Sequence, residues 1–184
     1  MEENVDFKDS RTYQNLQKSY NEELMYSGKY ELFGDIARTD GYMEISVIFN
    51  IVAGQNREHA RIWLRKINEG TLPSTSTNLL QASEEENNIA GNEYQDYAKI
   101  AREEGYDDIA ALFAGVANIN YYHASLFQQQ YNNIITNQVF CKPEETLWIC
   151  MKCGNIMSRV CAPEVCPVCG FPQGYYRVLS NCIY

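Results

Sequence analysis

The sequence is poor in several residue types, and each shortage excludes a class of protein. Its 184 residues include only two histidines and five prolines. No apolar run approaches the roughly 18 residues that a membrane-spanning helix needs. Basic residues are outnumbered, 15 against 24 acidic ones, so the net charge is -9. We therefore expect no nucleic-acid or membrane partner, since both require a basic surface. The acidic, polar start lacks the features of a signal peptide, which favours a cytoplasmic location.

Cysteine is missing from the first part of the chain, and all seven cysteines lie within residues 141–184. Four of the five prolines lie there too. This change in composition predicts two domains, at 1–140 and 141–184. In a cytoplasmic chain, clustered cysteines indicate metal ligation more than disulfides.

The first domain contains an internal repeat. Residues 37–60 align without gaps on residues 101–124, with 11 of 24 positions identical. Both copies contain a glycine near their start, Gly41 or Gly105, that predicts a turn between helices. The duplication predicts two helical hairpins, at 12–66 and 80–136, and hence a four-helix bundle. Each copy also has apolar residues at helical spacing, which predicts one buried face. These residues are Ile45, Ile48, Phe49 and Val52, then Ile109, Leu112, Phe113 and Val116.

The two histidines, His59 and His123, occupy equivalent positions in the repeat. Each follows an asparagine by three residues, Asn56 or Asn120. A single histidine in a bundle is more often an ordinary core residue than a ligand. Because these two share one repeat position on the predicted core face, we interpret them as candidate metal ligands.

The second domain contains two Cys-x-x-Cys-Gly knuckles, at 150–154 and 166–170. A segment of this size buries too little core to fold alone, so a metal is expected to stabilise it. The spacing predicts a tetrahedral site for iron or zinc, and the pattern leaves the choice open. The four predicted ligands are Cys150, Cys153, Cys166 and Cys169. Three further cysteines have no evident pairing and are predicted to be free thiols: Cys141, Cys161 and Cys182.

A duplicated Glu/His bundle followed by this cysteine domain resembles the rubrerythrin family, over about residues 12 to 178. The segments "REHA" at 57–60 and "AKIAREEGY" at 98–106 are similar to that family. Trp148, "APE" at 162–164 and Pro167 are similar to a rubredoxin module. The resemblance implies an all-α ferritin-like four-helix bundle with a small C-terminal rubredoxin-like domain. It also implies iron at the cysteine site, with zinc as the alternative.

The resemblance further implies a metal site in the bundle, whose ligands this chain keeps in part. Glu23, His59, Glu86 and His123 match four ligand positions, although the internal repeat pairs Glu22 with Glu86. Two tyrosines match positions beside the ligands in the family, or are plain core aromatics: Tyr30 and Tyr94.

Three ligand positions depart from the family pattern. Asn56 and Asn120 stand where the family has bridging glutamates, and Ile89 stands where it has another glutamate. An amide cannot bridge two irons as a carboxylate does. We therefore expect one metal or none in the bundle rather than a di-iron pair.

Two functions remain open from the sequence. The first is a rubrerythrin-like non-haem iron redox protein that transfers electrons through the cysteine site, with the family role of peroxide reduction. The second is a non-catalytic relative whose bundle binds one metal or none, acting as an electron carrier or as a structural or interaction protein. The resemblance implies a head-to-tail homodimer and a redox donor protein as partner. A zinc module without redox activity is a third reading.

Overall fold

The computed structural model describes residues 6–179 and is mostly helical, with a small strand domain at its C-terminal end. This is the predicted fold class. The helices are α1 (Arg11–Thr39), α2 (Met43–Ile67), α3 (Thr75–Asn88), α4 (Tyr94–Glu103) and α5 (Asp107–Ile135), with a π turn at Ile89–Glu93 joining α3 to α4. The strands are β1 (Cys141–Cys150), β2 (Ile156–Cys161) and β3 (Tyr176–Val178).

Backbone contacts divide the chain into two compact units, Met1–Pro73 and Ser74–Tyr184. The first holds the hairpin of α1 and α2; the second holds the hairpin of α3, the π turn, α4 and α5, together with the strands. No helix among the described residues is long and apolar enough to cross a membrane.

Both hairpins turn in the same way. Gly41 and Gly105 have φ angles of 87° and 85°, a region that glycine adopts without steric cost. The residue after each glycine donates its N–H back to a helix carbonyl, at 2.8 Å for Tyr42 and 2.7 Å for Tyr106. This bonding satisfies carbonyls at the helix end, as glycine-terminated helices usually do. The repeated Gly-Tyr pair therefore fixes both turns.

Small residues fill the contact between the helices of each hairpin. They recur every seventh position on α2 and on α5, and all are buried: Ser46, Ala53 and Ala60, then Ala110, Ala117 and Ala124. Opposite them, Ser27 donates a hydrogen bond to the Ala53 carbonyl, and Ser83 donates one to the Ala124 carbonyl. A seven-residue period keeps one narrow face toward the partner helix, and small side chains allow the backbones to approach closely.

The predicted apolar face is not the buried one. Ile48 and Leu112 are 55% and 67% exposed, and Ile45, Ile109 and Val116 are exposed too. Phe49, Val52 and Phe113 are partly buried. The prediction was wrong for the hairpin because the contact surface there is the seam of small residues, which hydrophobicity alone does not reveal.

The strands form an antiparallel sheet in the order β2-β1-β3. Its core consists of Trp148, Cys150, Ala162, Cys166 and Tyr176, all buried, with Phe140, Cys169 and Val178 packed against them. The indole Nε1 of Trp148 donates to the Arg159 carbonyl at 3.0 Å. Two of the four predicted metal ligands therefore lie in the core of the domain.

Candidate metal centre

The four knuckle cysteines converge on one point. Their sulfur atoms all lie within 4.8 Å of one another, with Cys150 and Cys169 at 3.8 Å and Cys153 and Cys166 at 3.7 Å. Four ligands at bond lengths of about 2.3 Å from a tetrahedral metal are separated by about 3.8 Å. The tetrad therefore fits one tetrahedrally bound metal ion, as the spacing predicts.

The two knuckles have matching backbones. Gly154 and Gly170 have φ angles of 78° and 73°, and each donates its N–H to the carbonyl of the first cysteine of its knuckle. The tight turn leaves other N–H groups free to face sulfur: those of Val168 and Cys169 bond to Cys166. Backbone N–H groups stabilise thiolates, which are the form that binds metal.

The thiols of the second knuckle have very different proton affinities. A hydrogen bond from the Tyr176 side chain, aided by the knuckle N–H groups, outweighs burial and lowers the pKa of Cys166 from 9.0 to about 6. At Cys169, the Phe171 N–H lowers the pKa, but burial and the three neighbouring thiols prevail and raise it to about 12. Burial, then the bond with Cys166, raises the pKa of Tyr176. Without metal, Cys166 is therefore the first of these two thiols to ionise.

The first hairpin brings one glutamate and one histidine together. The Glu23 carboxylate on α1 lies 3.4 Å from Nδ1 of His59 on α2. Glu22 instead faces solvent, where it pairs with Lys18 at 3.8 Å. The structure thus resolves the choice between the two glutamates, because only Glu23 points at the histidine.

The second hairpin repeats this arrangement, although its glutamate is shifted by one position relative to the internal repeat. The Glu86 carboxylate on α3 lies 3.7 Å from Nδ1 of His123 on α5. Glu84 and Glu85 are exposed, and Glu85 accepts a hydrogen bond from Gln81. The side chains of Glu23 and Glu86 are 26% and 27% exposed, and those of His59 and His123 are 50% and 44% exposed. Each hairpin therefore presents an equivalent, half-exposed Glu–His pair.

The tyrosines predicted to flank the ligands occupy equivalent aromatic clusters. The ring of Tyr30 lies 6.1 Å from that of Phe49, and the ring of Tyr94 lies 5.5 Å from that of Phe113. Both tyrosines are partly buried.

Comparison with known proteins shows the family of the chain. The rubrerythrin family profile matches residues 14–131, and the profile of the rubrerythrin rubredoxin-like domain matches residues 148–177. The chain belongs to the rubrerythrin family. The second match covers all four knuckle cysteines, which supports iron binding at the tetrad. Together the two matches support a non-haem iron redox protein.

Individual rubrerythrins match over nearly their whole length. Rubrerythrin-1 of Clostridium acetobutylicum is 34% identical, covering 95% of this chain and 97% of the relative. Rubrerythrin of Nitratidesulfovibrio vulgaris is 33% identical, covering 94% and 96%. A solved structure of nigerythrin in a mixed-valence state is 23% identical, covers 95% of this chain and 90% of its own, and has a TM-score of 0.36.

The three positions that depart from the expected rubrerythrin ligands lie beside the Glu–His pairs. Asn56 and Asn120 are partly buried, one helical turn before His59 and His123. Ile89 is partly buried and opens the π turn, three residues after Glu86. A π turn inside an α-helix is often found at functional sites. The sequence reading missed this turn, although the unequal spacing from each glutamate to its Gly-Tyr pair was a usable signal.

The prediction of free thiols at Cys141 and Cys161 was wrong. The two residues are register partners in the β1–β2 ladder and form a disulfide, with Cα atoms 4.0 Å apart. The pairing depends on strand register, which the cysteine spacing does not reveal. Cys182, the third predicted free thiol, lies outside the described residues.

Proposed function

We propose that the protein carries single electrons through an iron ion at Cys150, Cys153, Cys166 and Cys169, and that its helical part binds at most one divalent metal. The proposal rests on the tetrad, in which two sulfur pairs are separated by 3.7 and 3.8 Å, as tetrahedral coordination requires. When bound there, iron supplies a one-electron couple. The chain itself brings the four sulfur atoms together, and Tyr176 and the knuckle N–H groups favour the ionised form of Cys166.

The residues of the helical part do not fit a di-iron pair. Two divalent ions about 4 Å apart repel by roughly 16 kcal/mol at an effective dielectric constant of about 20. Bridging carboxylates offset such repulsion, and neutral amides at Asn56 and Asn120 do not. Glu23 and Glu86 together carry two negative charges, which balance the charge of one divalent ion. If a second divalent ion were bound, its two positive charges would be uncompensated. Charge therefore favours a single metal.

The geometry of each Glu–His pair suits two ligands of a metal ion. Oxygen and nitrogen ligands at about 2.1 Å from a tetrahedral ion lie about 3.4 Å apart. Glu23 and His59 are separated by 3.4 Å, and Glu86 and His123 by 3.7 Å. We propose that Glu23 with His59, and Glu86 with His123, supply ligands to the metal of the helical part, with Zn²⁺ or Fe²⁺ as the occupant.

Metal analysis together with the visible spectrum tests the proposal. We expect one iron per chain, a visible spectrum typical of an iron–tetrathiolate centre, at most one further divalent metal, and no peroxide turnover. Two further irons with peroxide turnover would instead establish the family-type reaction and overturn the proposal for the helical part. A colourless protein holding zinc at the tetrad would remove electron transfer.

A gain-of-function variant provides the matched test of the three departing positions. The triple substitution Asn56→Glu, Ile89→Glu and Asn120→Glu restores carboxylates at all three. We expect it to bind two further irons per chain, whereas Glu58→Gln, at the exposed neighbour of His59 that pairs with Arg61, leaves metal content unchanged. Failure of the triple variant to gain iron, in a folded protein, would contradict the assignment of these positions.

We also propose that the protein is a homodimer. The support is the exposed apolar face of α2 and α5, since exposed apolar patches of this kind mark interaction surfaces. Light scattering coupled to size-exclusion chromatography is expected to give twice the chain mass of 21.2 kDa, and the monomer mass would refute it.

A further inference from the structure

We infer that Cys141 and Cys161 form a thiol–disulfide exchange site whose substrate is a dithiol reductant. The pair is separate from the metal tetrad, and the inference does not depend on the proposed electron-transfer role. The two cysteines face each other at one end of the β1–β2 ladder and are joined by a disulfide. Both are half-buried, in contrast to Cys150 and Cys166 of the tetrad, which are buried.

A cavity lies beside Cys141. It has a volume of about 380 Å³ and is lined by Cys141 among apolar and carboxamide side chains. The other lining residues are Ile134, Asn137, Val139, Phe140 and Gln173. This volume lies in the range of pockets that hold small molecules. Because Cys141 lines the cavity and Cys161 does not, we expect a thiolate that enters the cavity to attack Cys141 before Cys161.

The exchange reaction balances without any further reactant. One thiolate of the dithiol attacks Sγ of Cys141, the Cys141–Cys161 bond breaks, and Cys161 leaves as a thiolate. The second thiol of the reductant then loses its proton and attacks the other sulfur of the reductant, which is bonded to Cys141 in the mixed disulfide. This attack releases the Cys141 thiolate. Both cysteines take up protons, so the protein gains two thiols and two electrons while the dithiol becomes a disulfide.

The chain around this disulfide reaches the core beside the metal ligands. Phe140 precedes Cys141 and Ala162 follows Cys161, and both pack in the core with Cys150 and Cys166. The Ala162 N–H also donates to the Phe140 carbonyl at 2.8 Å. The β1–β2 pairing is irregular between Cys141 and Thr146, so few other ladder contacts hold this end. We therefore expect opening the disulfide to loosen the packing of Phe140 against the core that contains Trp148.

Native-state alkylation of the metal-loaded full chain tests the inference. A Cys182→Ser background removes that thiol from the count. We expect dithiothreitol to expose two alkylatable thiols, mapped to Cys141 and Cys161, while the visible spectrum of the tetrad is retained. Cys141 should react first, at least tenfold faster than Cys161. Absence of a disulfide in the air-oxidised protein, thiols that appear only after unfolding, or equal rates at both residues would overturn it.

A second arm separates the two sources of dithiol. Thioredoxin kept reduced enzymatically is compared with dithiothreitol at equal thiol concentration. Reduction at least tenfold faster by thioredoxin identifies a protein dithiol, and equal or slower reduction identifies a small one; both outcomes support an exchange site.

Single-cysteine variants supply a control that does not rely on reducing the bridge. In Cys161→Ser, oxidised glutathione should modify Cys141 at least tenfold faster than it modifies Cys161 in Cys141→Ser. Equal rates in the two folded variants contradict the cavity as the route of attack.

Discussion

The Glu86 carboxylate lies 3.7 Å from Nδ1 of His123. Glu86 corresponds to Glu23 of the first hairpin, but it is shifted by one position in the alignment of the repeat. Glu23 lies 18 residues before Gly41, whereas Glu86 lies 19 residues before Gly105. One extra residue in a continuous α-helix would rotate the glutamate by about 100°. The π turn at Ile89–Glu93 absorbs that residue and returns Glu86 to the histidine.

Deleting Ile89 is therefore expected to leave Glu86 beside His123. The deletion removes the extra residue and closes the π turn into an α turn, so Glu86 then lies 18 residues before the glycine, as Glu23 does in the first hairpin. In the native chain and in the deletion variant alike, Glu86→Gln should shift the side-chain NMR resonances of His123, and Glu85→Gln should not. Because the chain has two histidines, His59 serves as the internal reference. An effect of Glu85→Gln in place of Glu86→Gln in the deletion variant would contradict this role of the π turn.

A matched pair of substitutions tests the first hairpin. Glu23→Gln removes the carboxylate beside His59, whereas Glu22→Gln removes one that pairs with Lys18 in solvent. We expect the first variant to shift the His59 ring resonances and to weaken Zn²⁺ binding to the helical part by tenfold or more. The second should leave both unchanged, since exposed ion pairs contribute little. Calorimetric titration of protein with the tetrad already loaded measures the affinity, and equal effects of the two variants would contradict the pairing.

Features encoded by local chemistry were predictable from the sequence. Gly41 and Gly105 marked both hairpin turns because few other residues adopt positive φ. The two Cys-x-x-Cys-Gly knuckles predicted the tetrad because each knuckle is a local turn that positions two sulfurs.

Features that depend on register between elements were not predictable from local chemistry. The Cys141–Cys161 disulfide requires the β1–β2 register. The family resemblance implied both Glu86 and His123, but their contact requires the π turn. The buried seam was missed for a different reason. Alanine and serine are only weakly hydrophobic. The helical periodicity was therefore dominated by the larger apolar residues of α2 and α5, which are exposed.

The low pKa of Cys166 gives the metal-free tetrad a measurable titration. Thiolate absorbance near 240 nm is expected to include a step with a midpoint of about pH 6. Tyr176→Phe removes the main hydrogen bond and should move the step to higher pH, and Cys166→Ser should abolish it. Because the folded pKa lies below the usual 9.0, this group stabilises the folded metal-free protein at high pH, and that contribution is lost as pH falls through about 6. A first step near pH 9 in the native chain would contradict the hydrogen bond.

The seam of small residues predicts that added volume is tolerated on one face of α5 and not on another. Ala117 is buried against the partner helix, whereas Ala111 on the same helix is exposed. Ala117→Leu is expected to lower the free energy of unfolding by about 1–3 kcal/mol, because overpacking forces side chains off their preferred rotamers or the backbones apart. Ala111→Leu should change it by less than about 0.5 kcal/mol, as surface substitutions usually do. Urea unfolding followed by far-ultraviolet circular dichroism measures both, with equal m-values required for the comparison. If the two variants were equally stable, the close approach of the helices would not rest on the small residues of the seam.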